Sequence, residues 1–208
     1  MADRATVSIV DDDEAIRDSL SILLESSGFK VAAYASAEAF LAAPAAGVGC
    51  VLVDVRMPGM GGIELEEEMA RRGSRIPVIV MTGHADVALA VRAMKAGAVD
   101  FVEKPFDEPA LLDAIGRACD LGREAARAAA AEAAIGERLA LLTPREREVL
   151  DALVAGKPNK IIAYELAISP RTVEIHRSRV MEKMQARTLS DLVRMTLAAA
   201  ARPKVREG

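Results

Sequence analysis

A chain of 208 residues with 51% apolar side chains has enough material for one or two domains with sizeable cores. Its apolar runs are short and interrupted, which excludes a bilayer-spanning segment. Residues 1–120 hold 20 acidic and 11 basic side chains, a net −9, whereas residues 121–208 hold 16 basic and 11 acidic, a net +5. An acidic front and a basic back point to two modules, the second suited to a polyanionic partner.

The first 120 residues alternate two kinds of pattern. Apolar runs at 6–10 (TVSIV), 30–35 (KVAAYA), 50–55 (CVLVDV), 77–83 (PVIVMTG) and 98–105 (AVDFVEKP) are bounded by Gly, Pro or Asp, as strands buried on both faces should be. Helical spacing separates them, at Ile16, Leu20, Leu23 and Leu24 and again at Val87, Val91 and Met94. Five such βα units predict an α/β fold, a doubly wound five-stranded parallel sheet with its ligand site beyond the carboxyl ends of the strands. That rule gathers Asp11, Asp12, Asp54, Thr82 and Lys104 at one rim. Cys50, opening an apolar run, reads as a small buried hydrophobe, and neither cysteine has metal-type spacing. No leader pattern opens the sequence, so a cytoplasmic location is expected.

The stretch REAARAAAAEAAIGERLA (123–140) is alanine-rich, with few residues able to anchor a core. It reads as a helical linker continuing the fifth helix, with Gly136 as its weak point. From Leu142 onward only helical patterns occur. Thr143 as N-cap, Pro144 at N1 and Glu146 at N3 form a capping box, and Gly156 stops that helix. A second short helix follows at NKIIAYELA, a third after Ser169 and Pro170, and a fourth after Thr188 with Asp191 at its N3 position. The tight turn Ala167–Ile168–Ser169 marks a helix-turn-helix within a small all-α four-helix domain. The predicted boundaries are therefore 1–121, a linker at 122–141, and 142–208.

Three consecutive aspartates, Asp11, Asp12 and Asp13, where a buried strand ends would repel one another unless a cation or a lysine answers them. Carboxylates converging from separate strands suit Mg²⁺, which takes one or two carboxylates and keeps water and a phosphate oxygen. Lys104 would add a second positive charge for a transferring group, and Thr82 a hydroxyl. One carboxylate would then act as nucleophile and become an acyl phosphate. Spacing alone does not select which, and a structural Ca²⁺ or Mg²⁺ site satisfies it equally. No phosphate-cradling loop of the G-x-x-x-x-G-K-[ST] kind is present, so the phosphoryl group must come from a partner or a small donor.

The segments VDDDEAIR, LVDVRMPGMGGIEL, VIVMTGHAD and AMKAGAVDFVEKPF resemble the receiver domain of two-component response regulators over about residues 5–120. The resemblance implies a flavodoxin-like receiver phosphorylated by a sensor histidine kinase. It makes Asp54 the phosphoacceptor, and Asp12, Asp11, Asp54 and the Arg56 backbone carbonyl the Mg²⁺ set. Thr82 and Lys104 would contact phosphoryl oxygens, with Thr82 and Phe101 as the switch pair. It also implies a cis bond before Pro105. Asp13 matches no signature position and reads as a helix-start residue favoured by the dipole. His84 reads as a surface or packing residue.

The segment LTPREREVLDALVAGKPNKIIAYELAISPRTVEIHRSRVMEKM resembles the LuxR-type helix-turn-helix. With the receiver in front, the architecture is similar to the NarL/FixJ class, and DVRMPGM, MTGHAD and ISPRT lean towards its FixJ branch. The third helix carries Arg171, Arg177, Arg179 and Lys183, and such a helix can enter the major groove of double-stranded promoter DNA. Thr172, Glu174 and Ile175 are the expected groove readers. Lys160, Arg171, His176, Arg177 and Arg179 are the expected phosphate or base contacts, with a packing role as the alternative for His176. A glutamate at 174 can accept from a cytosine amino group but cannot clamp guanine. The implied function is a phosphorylation-controlled transcription regulator that dimerises, binds DNA and acts with RNA polymerase. Two rivals fit some residues. A phosphohydrolase would use Asp11 and Asp13 as its D-x-D pair, although short βα loops leave it no cap. A stand-alone receiver would use its C-terminal helices only to dimerise.

Overall fold

The computed structural model describes residues 5–44, 47–83 and 87–200, which form two compact units dividing between Arg127 and Ala128. The first unit runs β1 (Thr6–Val10), α1 (Glu14–Ser26), β2 (Lys30–Tyr34), α2 (Ala37–Ala42), β3 (Val48–Asp54), α3 (Gly62–Arg71), β4 (Val78–Thr82), α4 (Val87–Ala96), β5 (Asp100–Glu103) and the first part of α5 (Glu108–Ala140), whose last residues belong to the second unit. All neighbouring strands pair in parallel, in the order β2-β1-β3-β4-β5. Connectivity reverses between β1 and β3, the crevice in which a doubly wound sheet binds its ligand.

Side chains alternate across the pleat and feed two cores. On one face Val10, Val51, Val53, Val78 and Val80 pack with Phe40 of α2, Leu65 and Met69 of α3 and Ala93 of α4. On the other, Val7, Ile9, Cys50, Leu52, Ile79 and Met81 pack with Leu20 and Leu24 of α1 and Leu111 and Ile115 of α5. Burial on both faces holds for β3 and β4 and for most of β1, but not for the outer strands β2 and β5, which stay partly open. An edge strand lacks a neighbour on one side, and KVAAY answers with small alanines and a terminal lysine. The stripe Val87, Val91 and Met94 lies on α4 but is exposed, and Ala93 alone is buried there.

Helix α5 continues for 33 residues through Gly136 without interruption. The stretch read as a linker is helical, as expected, and some of its residues are packed. Gly122 is buried in the first unit, and Ile135 and Leu139 pack against the core of the second. That second unit holds α6 (Pro144–Val154), α7 (Asn159–Glu165), α8 (Pro170–Met184) and α9 (Leu189–Ala200). Val149, Leu150, Leu153, Ile162, Val173, Val180, Met184 and Leu192 form its interior. The box predicted at α6 is formed: Glu146 N donates to Thr143 Oγ1 and Thr143 N donates to Glu146 Oε2. Thr188 and Asp191 exchange the same reciprocal pair before α9. Between α7 and α8 the chain turns through Ala167, whose φ of 52° lies in the left-handed region.

Candidate functional site

Asp11 follows β1, Asp54 ends β3, Thr82 ends β4 and Lys104 follows β5, so four elements deliver these residues to one rim. Lys104 Nζ donates to Asp11 Oδ2 at 2.7 Å and to Asp54 Oδ1 at 2.6 Å. The Asp11 side chain is 1% exposed, that of Asp54 11% and that of Lys104 16%. Each carboxylate has its other oxygen held by backbone: Asp13 N donates to Asp11 Oδ1 at 2.9 Å, and Arg56 N to Asp54 Oδ2 at 2.7 Å. The repulsion posed by clustered aspartates is thus met by a shared ammonium and two amides. Burial alone would lower the Lys104 ammonium, but the hydrogen bonds and charges of Asp11 and Asp54 outweigh it and hold the group above the ordinary lysine value. Lys104 N donates to Thr82 O at 2.7 Å, fixing the ends of β4 and β5 together, and the Lys104–Pro105 bond is cis.

Thr82 is buried and lines a cleft of about 90 Å³ with Asp54, Val55, Arg56 and Gly83. Phe101 on β5 is half-buried, beside Val80 in register and packed against the α2–α4 core. Asp12 is exposed, and among the described residues no group of three acidic, histidine or cysteine side chains is drawn together. Asp13 is the N-cap of α1 and accepts from Ala15 N at 2.9 Å. His84 lies outside the described residues. The donor chemistry nevertheless fits Mg²⁺, because two buried carboxylates and the carbonyl at Arg56 are hard oxygens beside a polar cleft.

Two residues at this rim escaped sequence reasoning. Arg17 Nη1 donates to the Asp11 main-chain oxygen at 2.8 Å, and Glu38 Oε1 accepts from Met60 N at 3.3 Å, reaching the loop that follows Asp54. Arg17 closes the segment VDDDEAIR but holds none of its expected roles, and Glu38 lies in no motif. Only the fold shows that the start of α2 reaches the loop after Asp54, while Arg17 of α1 holds the main chain just after β1.

In the second unit, Ser169 caps α8, its Oγ accepting from Thr172 N at 3.1 Å and meeting Thr172 Oγ1 at 2.8 Å. Arg171, Glu174, Ile175 and Arg179 are exposed on α8, Lys160 is exposed on α7, and Thr172, His176 and Arg177 are half-buried. His176 Nδ1 is buried without a hydrogen-bond partner, which fits a packed ring at least as well as a phosphate contact. Lys183 serves the scaffold, since its Nζ donates to Glu146 Oε2 at 2.6 Å and to Leu141 O at 3.1 Å. That ammonium, and then the Thr143 amide, bring the Glu146 carboxyl down to about 2. Arg145 donates to the Leu166 carbonyl just before the turn, tying α6 to the helix-turn-helix. The outcome is a packed helical bundle that leaves one face of the basic helix α8 exposed, as a helix that enters the major groove must be.

The family model for the response regulator receiver domain matches residues 7–116, and that for bacterial regulatory proteins of the luxR family matches residues 140–196. The chain is 51% identical to the transcriptional regulatory protein FixJ of Azorhizobium caulinodans, covering 98% of this chain and 97% of that one. It is also 51% identical to FixJ of Rhizobium meliloti, covering 95% and 98%. Among solved structures, the response regulator StyR is 42% identical with a TM-score of 0.81, over 93% of this chain and 98% of that one. These relatives are regulators rather than enzymes, and the phosphohydrolase reading falls away. The chain therefore belongs to the two-component response regulators, as a FixJ-like transcriptional regulator that joins a receiver domain to a LuxR-type DNA-binding domain.

Proposed function

We propose that a sensor histidine kinase transfers a phosphoryl group to Asp54 and that this modification controls DNA binding. The observation that carries the reading is Lys104 bridging Asp11 and Asp54 at the switch point of the sheet. An Asp54 carboxylate oxygen attacks phosphorus while the bond to the kinase imidazole breaks, leaving an acyl phosphate. Lys104 lies within reach of the oxygens whose charge grows during transfer, and the Thr82 hydroxyl lines the same cleft as Asp54. Asp11, Asp12, Asp54 and the Arg56 carbonyl would hold Mg²⁺, which supplies positive charge to orient the donor and offset the carboxylates.

The added charge of about −1.5 to −2 then draws Thr82 and Phe101 towards the phosphate. The responding face is α4 and β5. Its exposed Val87, Val91 and Met94 support a role in pairing two receivers as a homodimer. Two LuxR-type domains then meet a two-fold promoter site together, and the gain in effective concentration raises affinity. Thr172, Glu174 and Ile175 read bases, while Lys160, Arg171, His176, Arg177 and Arg179 contact DNA around them. Activation through RNA polymerase, in the cytoplasm, completes the reading; among the described residues no helix is long and apolar enough to cross a membrane.

Intact-mass measurement after treatment with a small phosphodonor and Mg²⁺ tests the first step. One added phosphoryl group in the native chain and none in Asp54→Asn is the expected pair of results. An unchanged native mass, or the same gain in the variant, contradicts the assignment.

A further inference from the structure

The two cysteines, 69 positions apart in sequence, meet inside the receiver. Cys50 near the start of β3 and Cys119 on α5 are both free, with Sγ atoms 3.5 Å apart. A pair of glycines makes this approach possible. A β-carbon at Gly122 would lie 2.0 Å from the Gly49 carbonyl oxygen, and one at Gly49 would lie 2.7 Å from the Ala5 β-carbon and 3.2 Å from Cys119 Sγ. Helix α5 therefore rests directly on the backbone of β3, each cysteine a turn or less from a glycine contact. Nothing in the phosphoryl-transfer rim uses these sulfurs.

We propose that Cys50 and Cys119 form a reversible redox site, oxidised to an intramolecular disulfide by a peroxide or a low-molecular-weight disulfide. The sulfurs need to close only another ~1.5 Å to reach bonding distance. The two thiols are not equivalent. The hydrogen bond to Cys119 and burial push the Cys50 thiol up. Accepting that hydrogen bond, with the Arg123 charge nearby, lowers Cys119 against its own burial and the charge of Asp120, which pairs with Arg123. Cys119 retains 4% exposure, and its neighbours Asp120 and Arg123 stand on the surface, whereas Cys50 has none. Cys119 is accordingly the attacking sulfur and Cys50 the resolving one.

With hydrogen peroxide, the Cys119 thiolate attacks one oxygen, the O–O bond breaks, hydroxide leaves, and a sulfenic acid forms. Cys50 sulfur then attacks Cys119 sulfur; the S–S bond forms, the S–O bond breaks, and the Cys50 proton leaves with the hydroxide as water. Overall, two thiols lose two hydrogens and one peroxide becomes two waters. In reducing compartments such dithiols are sensors rather than permanent staples. The bond would tie α5 to β3, the strand whose far end carries Asp54.

The test treats the folded full-length chain with hydrogen peroxide, quenches it, denatures it and alkylates the remaining thiols. Two alkyl adducts before oxidation and none after, a monomer on non-reducing gels and a cross-linked Cys50–Cys119 peptide are expected, all restored by dithiothreitol. Oxidation of Cys50→Ser should trap Cys119 as a dimedone adduct. The inference is overturned if both thiols of the folded chain stay alkylatable, if the disulfide joins two chains, or if it forms only in denaturant.

Discussion

Lys104 decides the electrostatics of the rim. Its ammonium is the cation that the sequence of three aspartates requires, and it satisfies one oxygen of each buried carboxylate. Removing one partner of such a group leaves charge without compensation, which costs more than the pair itself contributes. Lys104→Met should lower receiver stability by ~3 kcal/mol in urea unfolding and abolish acquisition of the phosphoryl group. Unchanged phosphorylation in that variant would remove Lys104 from the transfer step. Glu66 is a second residue-scale case, and no motif marks it. It is 5% exposed on α3, its Oε2 has no hydrogen-bond partner, and burial, with the Glu67 charge behind it, pushes its carboxyl up to about 7. A carboxyl raised in the folded state contributes stability that is fully present below the unfolded value and is lost as pH rises through the folded one. The receiver should therefore lose stability between about pH 4.5 and about pH 7 through this group. Glu66→Gln should flatten that slope and stabilise the receiver by roughly 1–3 kcal/mol at pH 8, measured by urea unfolding across pH. An unaltered slope would show that Glu66 is already ionised without penalty.

At the scale of elements, the turn between α7 and α8 carries strain at a known position. Ala167 adopts φ 52°, where glycine has no β-carbon to crowd the backbone. Ala167→Gly should stabilise the DNA-binding domain by about 0.5–1 kcal/mol in thermal unfolding, relief of strain outweighing the entropy of the freer unfolded chain. Loss of stability would mean that the alanine methyl has a packing role. Which elements were legible in advance follows the same physics. The strands over 6–10 and 78–82, the capping box at Thr143 and Glu146 and the restart at Ser169 depend on local patterns, and the structure contains them. Asp11, Asp12, Asp54, Thr82 and Lys104 were expected at one rim because strand ends in a parallel sheet share an edge; the structure brings Lys104 to Asp11 and Asp54 with Thr82 beside Asp54, and leaves Asp12 exposed. Local pattern could not reveal which strands lie outermost, nor that the stripe on α4 faces outwards, since periodicity does not say which side is covered. It also missed Ile135 and Leu139, sparse apolar residues in an alanine-rich helix that the second core recruits. Arg17 and Glu38 were invisible because their partners are main-chain groups.

For the whole molecule, charge is divided between chemistry and recognition. The receiver concentrates negative side chains where a phosphoryl group and a divalent cation would be handled, and the net +5 belongs to residues 121–208, the half that contains the helix-turn-helix. A basic output half suits DNA, a polyanion, while the acidic half needs a cation to handle an anionic phosphoryl group. On the proposed two-state switch, phosphorylation would shift a population rather than create a new activity, so a fraction of the unmodified protein should bind DNA as well. The most direct test is the affinity of the full-length chain for promoter fragments it retains from its own genome, measured with and without a small phosphodonor plus Mg²⁺. Tighter binding after treatment, absent in Asp54→Asn, is the predicted result; equal affinities with phosphorylation of Asp54 verified by mass would contradict the account.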